Sequence, residues 1–393
     1  EQAIEYQDER LLKPDNSVIR SNVDLDTMYS HALILSGIRR CGKSTLMQQV
    51  RRKMSEPSIS LNFEDPRLSG FDLNDFNRLD ELIVTRNVKT LFFDEIQNVE
   101  KWENYIRFKL DEGLKVFITG SNASMLSKEL GTKLTGRHIL KELFPFSYRE
   151  FLQYAKREDN ADSLTVYLKN GGFPEYIQSG NDEMLMRLFN DIIIRDIAVR
   201  YGLKNHLLLQ QVAVYLVSNV GKLITGNALK KIFGIKSTTT ILEYLAFLED
   251  CYLFQFVPKF SYSLKVQQVN AKKCYAIDNG LIDVISGSFT EDIGRKFENL
   301  VYLELRRKFD QIYYFSEKKE CDFVVYKYNK LADLVQVCHQ ITPDNLNREI
   351  DGAMEAMNFF QVNTAKIITF NQEDRFEKDG KVITAIPYNK WVV

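Results

Sequence analysis

Cysteine and histidine are scarce in this sequence, and their placement excludes the common zinc sites. Its 393 residues include five cysteines and four histidines. No two cysteines form a C-x-x-C pair and the histidines are scattered, so neither a zinc motif nor a disulfide framework is predicted. We expect reduced thiols, as in a cytosolic protein, at all five cysteine positions: Cys41, Cys251, Cys274, Cys321 and Cys338.

Long apolar runs and an excess of one charge are also absent. No stretch of about 18 apolar residues occurs, so neither a transmembrane helix nor a membrane partner is expected. The start, Glu1 to Glu5, does not resemble a signal peptide, and because Glu1 is not an initiator Met, we expect the numbering to begin inside a longer gene product. The net charge is -1, so any nucleic-acid-binding surface must be local. These features favour a cytoplasmic protein.

The sequence does contain enough apolar residues for several cores. Apolar residues make up 45% of the chain, and its length predicts about two to four domains. After a polar arm over residues 1–30, short apolar segments alternate with helical patterns up to residue 150. This alternation predicts an α/β fold with a parallel sheet covered on both faces. The predicted strands are 32–35, 59–63, 90–93, 115–119 and 138–140.

Three further regions are predicted after residue 150. Residues 151–205 lose the strand signal and are expected to be all-helical, with a break at Gly171 to Pro174. Residues 206–290 predict a helix, a turn, a helix and a hairpin, which is the order of a winged helix-turn-helix. Residues 291–393 predict a small α/β domain.

The most specific motif follows the first predicted strand. Residues 37–44 match G-x-x-x-x-G-K-[ST], with a buried strand before them and a helix after them. Backbone N–H groups at a glycine-rich helix N-terminus bind phosphates, because the helix dipole favours anions there. Lys43 is expected to contact the β- and γ-phosphates of ATP, and Ser44 to bind Mg²⁺. The predicted nucleotide-binding residues are Gly37, Arg39, Arg40, Cys41, Gly42, Lys43, Ser44 and Thr45.

A second motif, Leu91 to Glu95, is an apolar strand that ends in two carboxylates. Asp94 is expected to hold Mg²⁺, directly or through water, and Glu95 to polarise the attacking water as a general base. Next to a phosphate-binding loop, this pair favours hydrolysis over a strand end with two solvated acids. Because the strand 59–63 intervenes, a further strand is expected between the loop strand and the acidic strand.

Weaker signals accompany these two motifs. Ser121 or Asn122 could contact the γ-phosphate or the water, although a plain turn fits nearly as well. Arg137 could stabilise charge on the transferred phosphoryl group, although a single arginine is by default a surface residue. Arg39 and Arg40 fit either the outer face of the phosphates or ion pairs. The predicted catalytic residues are Lys43, Glu95, Asn122 and Arg137.

Several motifs stand in a fixed order along nearly the whole chain: residues 37–46, Asp94 to Gln97, Thr119 to Ser121, Gly136-Arg137 and Gly171 to Tyr176. Together they resemble a large family of predicted prokaryotic AAA+-like P-loop ATPases. The resemblance implies an ATPase core, a helical lid, a winged helix and a C-terminal domain similar to restriction endonucleases. These regions correspond to residues 31–150, 151–205, 206–290 and 291–393. The resemblance also strengthens the prediction for Arg137.

The C-terminal region departs from that resemblance where nuclease chemistry would lie. Such a site requires a helix carboxylate, a strand Asp, an acid-x-Lys pair and Mg²⁺. Glu298 and Asp322 fit the first two positions, but residues 336–338 are Gln-Val-Cys, without the acid or the lysine. We therefore predict a nuclease-like fold without strong nuclease activity.

Local charge gives a milder signal for DNA. Residues 221–280 contain eight lysines and four acidic residues, a local balance of +4, and Ser237 to Thr240 begin the expected recognition helix. Both DNA binding and a packing role fit this pattern. The leading hypothesis is an ATP-hydrolysing molecular switch that reports its nucleotide state to DNA or a protein partner. This hypothesis is compatible with an oligomer. The alternatives are an ATP-controlled DNA-processing enzyme and a module that binds ATP without hydrolysing it.

Overall fold

The computed structural model describes most of the chain, in two compact units. The described residues are 2–11, 17–20, 30–122, 136–287 and 292–392. The first unit comprises Glu1–Pro145 and Asp250–Tyr252, and the second comprises Phe146–Glu249 and Leu253–Val393. Within the described ranges, none of the helices combines the length and the apolar character needed to cross a bilayer.

The first unit is built on a five-stranded parallel sheet, as the alternating pattern predicted. The strand order is β2-β3-β4-β1-β5. One inserted strand does separate the loop strand from the acidic strand, but it is β4, whereas β2 lies outside β3. The strands are β1 (Ala32–Ser36), β2 (Ser58–Asn62), β3 (Thr90–Asp94), β4 (Lys115–Gly120) and β5 (His138–Glu142).

Four described helices accompany this sheet. They are α1 (Gln2–Leu11), α2 (Lys43–Lys53), α3 (Leu73–Thr85) and α4 (Trp102–Asp111). Alternate strand residues such as Ile34 and Phe93 form one core with the apolar faces of α3 and α4. The N-terminal arm is not simply polar, because Ile4 of α1 is buried in that core. The backbone N–H of Asn62, at the end of β2, donates to Gln7 Oε1 over 2.8 Å.

The second unit begins with helices and continues with a small antiparallel sheet. Its first helices are α5 (Tyr148–Ala155), α6 (Ala161–Asn170), α7 (Pro174–Ser179) and α8 (Asp182–Asp191), and α8 continues in π-helical form over Ile192–Val199. A sheet of order β6-β8-β7 follows. Its region contains α9 (His206–Val217), β6 (Leu223–Ile224), α10 (Gly226–Ile232), α11 (Thr238–Asp250), β7 (Phe254–Pro258), α12 (Leu264–Val269), β8 (Lys272–Ala276) and α13 (Asn279–Ile285). Assigning a lid and a winged helix to these elements stays a prediction.

The unit ends in a mixed six-stranded sheet of order β13-β14-β12-β11-β10-β9. Its elements are α14 (Ile293–Lys308), β9 (Gln311–Ser316), β10 (Glu320–Lys327), β11 (Lys330–Cys338), α15 (Pro343–Phe360), β12 (Thr364–Thr369), β13 (Asp374–Lys378), β14 (Lys381–Pro387) and α16 (Tyr388–Trp391). The sequence did not predict β13, because this edge strand is mostly charged and exposed, as edge strands often are. The likeness of this region to nucleases stays a prediction.

The two glycines after α6 are required by close packing inside the second unit. The backbone N–H of Gly172 donates to Asp278 Oδ2 over 2.6 Å, and the N–H of Phe146 donates to the Gly172 carbonyl over 2.8 Å. A Cβ atom on Gly172 would lie 2.2 Å from the Phe146 carbonyl oxygen, and one on Gly171 would lie 2.0 Å from Asp278 Oδ1. Only a residue without a side chain fits between these groups.

Replacing Gly172 with Ala should therefore destabilise the second unit. We expect the free energy of unfolding to fall by about 3 kcal/mol, because the backbone of Phe146 must move. Gly294→Ala in the first turn of α14 is the matched control, since its Cβ would meet nothing closer than 3.6 Å. The two variants are compared by urea denaturation, and equal midpoints would contradict the packing argument.

Candidate functional site

The phosphate-binding loop joins β1 to α2 at the carboxyl edge of the parallel sheet. Gly42 adopts φ 100° and stands at the N-cap of α2, a conformation that favours glycine. A Cβ atom on Gly37 would lie 2.1 Å from the Leu143 carbonyl oxygen, so this glycine is required by contact. Ser44 and Thr45 are exposed in the first turn of α2, where free backbone N–H groups favour anions.

Lys43 is buried beneath the loop and contacts the loop itself. Its Nζ donates to the carbonyls of Gly37 (2.9 Å) and Ile38 (3.1 Å), and it lies 3.8 Å from Glu95 Oε1. The ammonium is therefore held between the loop and the acidic strand. Neutral carbonyls are weaker partners for an ammonium than phosphate oxygens, so these contacts can be exchanged for contacts to a phosphate.

The other residues of the loop have separate partners. Both terminal nitrogens of Arg39 lie 3.2 Å from Glu64 Oε1, which matches the ion-pair alternative for Arg39. Arg40 is exposed, with φ 64°. Cys41 is fully buried, and burial raises the pKa of its thiol, so this cysteine is a packing residue of the loop.

Arg20, in the segment before β1, was not anticipated. Its guanidinium donates to the Cys41 carbonyl over 3.0 Å and to the Phe144 carbonyl over 2.8 Å. It thereby fastens the loop to the segment that follows β5. No sequence motif marks this arginine, because its partners are backbone atoms distant in sequence.

Asp94 and Ser44 place two hard oxygen donors side by side. Asp94 ends β3 and accepts a hydrogen bond from the Thr119 hydroxyl, and the Ser44 hydroxyl is near enough to affect the pKa of its carboxyl group. Burial, and next the charge of Glu95, raise the pKa of Asp94, while these hydroxyls and Lys43 lower it. Ser44, Thr45 and Asp94 line a cleft of about 930 Å³. A carboxylate beside a hydroxyl suits Mg²⁺, which usually binds proteins through few side chains together with phosphates.

Glu95 is held by Gln97, a residue of the Asp94 to Gln97 motif for which the sequence predicted no role. Glu95 has φ 53°, in the left-handed region, where a non-glycine residue is uncommon and costs energy. Gln97 Nε2 donates to Glu95 Oε2, and Gln97 Oε1 is buried without a partner among the described residues. The Glu95 backbone N–H donates to Thr119 Oγ1 over 3.0 Å. Gln97 therefore holds the side chain of Glu95, and Thr119 holds its backbone.

The end of β4 distinguishes between the two residues considered there. Asn122 is buried, and its Nδ2 donates to Cys251 Sγ over 3.7 Å. Ser121 is also buried, and its Oγ has no hydrogen-bond partner in the described part of the chain. A buried hydroxyl without a partner is costly unless another group binds it. The geometry therefore favours Ser121 over Asn122 as a polar contact at this edge.

Arg137 does not lie at the loop of its own chain. Its carbonyl accepts from the N–H of Ala32, the first residue of β1, and its side chain pairs with Asp111 and the Ser30 carbonyl. The loop follows the other end of β1, about 13 Å along the strand at 3.3 Å per residue. Because parallel strands keep their two ends at opposite edges, direct action of Arg137 on the loop of its own chain is not supported.

Family comparisons agree with the geometry of the first unit. Residues 29–152 match an AAA domain, which confirms the AAA-type P-loop core, and residues 161–292 match a domain of unknown function, DUF8612. The uncharacterized protein MJ1544 of Methanocaldococcus jannaschii is 33% identical over 95% of this chain and 91% of its own length. An uncharacterized protein of Haemophilus influenzae is 31% identical over 88% of this chain and 91% of its own.

Two solved structures are more distant. A RuvB point mutant of Thermotoga maritima has a TM-score of 0.32 at 16% identity, covering 58% of this chain and 83% of its own. The ORC2 protein of Aeropyrum pernix in its ADP form has a TM-score of 0.34 at 11% identity, covering 63% and 90%. Likenesses this weak say nothing about the geometry of the site.

Removing the Thr119 hydroxyl should loosen both acidic residues. Thr119→Val leaves the Glu95 N–H unpaired and removes a donor from Asp94, so we expect the free energy of unfolding of the first unit to fall by about 2 kcal/mol. Thr119→Ser keeps the hydroxyl and is the control. Thermal unfolding without nucleotide measures the difference, and a Val variant as stable as the Ser variant would show that these bonds contribute little.

Proposed function

We propose that the AAA domain of this chain binds ATP with Mg²⁺ and hydrolyses it. The chain belongs to the same family as MJ1544 of Methanocaldococcus jannaschii. One observation supports this proposal most directly: Lys43, Ser44, Asp94 and Glu95 lie together at one edge of the parallel sheet. Each has the chemistry that phosphoryl transfer to water requires.

In this proposal the loop residues bind and the acidic strand prepares the water. The backbone N–H groups at the start of α2 bind the phosphates, and Lys43 exchanges the Gly37 and Ile38 carbonyls for phosphate oxygens. Ser44 and Asp94 would hold Mg²⁺, which neutralises charge on the phosphates when bound. Glu95, fixed by Gln97 and Thr119, orients and deprotonates the water. Ser121 takes the polar role that the sequence offered to either Ser121 or Asn122.

Arg137 is left outside the catalytic set of its own chain. Its partners Asp111 and Ser30 hold it at the amino edge of the sheet. Arg137 could still act on the nucleotide bound by a neighbouring copy of the chain, which requires an oligomer. We keep Arg137 as a residue for that assembly and assign it no role within one chain.

We propose that the protein acts as a nucleotide-dependent switch in the cytoplasm. Nucleotide state would be reported through residues 206–290 and the C-terminal region to a partner, with DNA as the first candidate. Support comes from the local balance of +4 over residues 221–280 and from the exposed Lys236 and Thr239 around the start of α11. The opposing alternative is a winged helix that packs and does not bind DNA.

Lys43→Ala should weaken ATP binding by about a hundredfold or more, because it removes the charge-assisted bonds to the phosphates. Lys53→Ala, at the exposed end of α2, is the matched control and should bind as the wild type does. Isothermal titration with ATP and Mg²⁺ measures both affinities. Unchanged binding by Lys43→Ala would move the site elsewhere.

Glu95→Gln should retain ATP affinity and lose turnover by about 10² to 10⁴, because the amide cannot accept the proton of the water. The exposed Glu100→Gln is the control and should hydrolyse ATP normally. Phosphate release is measured at saturating ATP, with and without duplex DNA. Tight binding with no release by the wild type itself would favour the module that holds ATP without hydrolysis.

A further inference from the structure

The C-terminal region contains a second carboxylate cluster, at the positions where the sequence suggested nuclease chemistry. Glu298 of α14, Glu320 and Asp322 of β10, and Glu349 of α15 line a cleft of about 930 Å³. The sequence lacks a lysine at position 338, where Cys338 is found. The structure nevertheless brings a lysine to these carboxylates from another element, namely Lys273 of β8.

Lys273 is buried and lies among three carboxylates. Its Nζ lies 3.0 Å from Glu298 Oε1, 2.8 Å from Asp322 Oδ1 and 2.8 Å from Glu320 Oε1. Its side chain is only 3% exposed. The contacts with Glu298 and Asp322 are hydrogen bonds, and the contact with Glu320 is an ion pair. With three carboxylates within 3.0 Å of its Nζ, the ammonium is held by ion pairs inside the cluster.

The charge of Lys273 is maintained by the cluster. Burial alone would lower the pKa of Lys273, but Asp322, Tyr275, Glu298 and Glu320 together raise it well above its usual value. The ammonium is therefore a permanent cation at neutral pH. It occupies the space between the oxygens that a divalent metal would need to share.

The remaining groups close the cluster from the other side. Asp322 Oδ2 accepts from the Val337 N–H over 2.9 Å, and Tyr275 donates to Glu298 Oε1 over 2.6 Å. Gln336 accepts from the Asp322 N–H through Oε1 and donates to Glu349 Oε2 over 2.7 Å. Both ends of the Gln336 amide are therefore hydrogen-bonded inside the cluster, the nitrogen to Glu349 and the oxygen to the Asp322 backbone. With Lys273 in place, no group of three or more His, Cys, Asp or Glu side chains within the described ranges is arranged to hold a metal ion.

We propose that Lys273 is a built-in cation that replaces a divalent metal in this cluster, so that the cleft is a structural joint and not a metal-dependent nuclease site. Lys273 pairs in β8 with Leu223 of β6 and Val257 of β7. Its ammonium therefore ties the three-stranded sheet to α14 and β10. The inference is independent of ATP binding in the first unit.

Lys273→Ala tests this proposal. Removing the ammonium leaves buried carboxylates uncompensated, and we expect the melting temperature to fall by about 10 °C. Mn²⁺ should restore part of that loss, because the vacated cluster then accepts the metal. Lys272→Ala, at the neighbouring half-buried position of β8, should show neither the loss nor the Mn²⁺ effect. If Mn²⁺ does not raise the melting temperature of Lys273→Ala, the proposal that Lys273 takes the place of a metal is wrong.

The wild-type full chain supplies a test that does not depend on folding of the variant. Nucleotide-free protein is titrated with Mn²⁺ and followed by electron paramagnetic resonance, and plasmid nicking is assayed in the same buffer. We expect no Mn²⁺ bound at the cluster and no nicking. Mn²⁺ binding or nicking that disappears in Asp322→Asn would show a working metal site and sink the proposal.

Discussion

The parallel arrangement of β3, β4 and β1 is the constraint on which the candidate nucleotide site depends. Hydrogen bonding in this order brings the carboxyl ends of three strands to one edge. The phosphate-binding loop, the acidic pair and the β4 end must then meet there, although they are far apart in sequence. The same constraint places Arg137 at the opposite edge, because it immediately precedes β5.

Two buried lysines illustrate how partners decide what an ammonium does. Lys43 has two neutral carbonyls and one carboxylate at 3.8 Å, so a phosphate can replace the carbonyls. Lys273 has three carboxylates within 3.0 Å, and removing it would leave buried charges unpaired. Exchangeable partners suit a ligand-binding lysine, whereas saturated ionic partners suit a structural one.

Residues in local motifs could be proposed from the sequence, whereas residues that act through atoms distant along the chain could not. The loop, Asp94 and Glu95 follow from short patterns that specify both chemistry and local geometry. Arg20 supports the loop through backbone atoms that are distant in sequence, so no local spacing reveals it. Thr119 stood in a motif, but its bonds to the acidic pair link residues 24 and 25 positions apart, so the motif gave it no role. The choice of Ser121 over Asn122 also required knowledge of which polar atom has a partner after folding.

The amino-acid sequence by itself determined that β-strands alternate with helices, that the first core carries a phosphate-binding loop, and that residues 336–338 lack an acid and a lysine. These are properties of local periodicity and of residue chemistry. Only the tertiary structure decided which strand is inserted beside β1, which edge receives Arg137, and that Lys273 fills the carboxylate cluster. Those outcomes depend on hydrogen bonds and charge pairs between segments distant along the chain, which residue spacing does not encode.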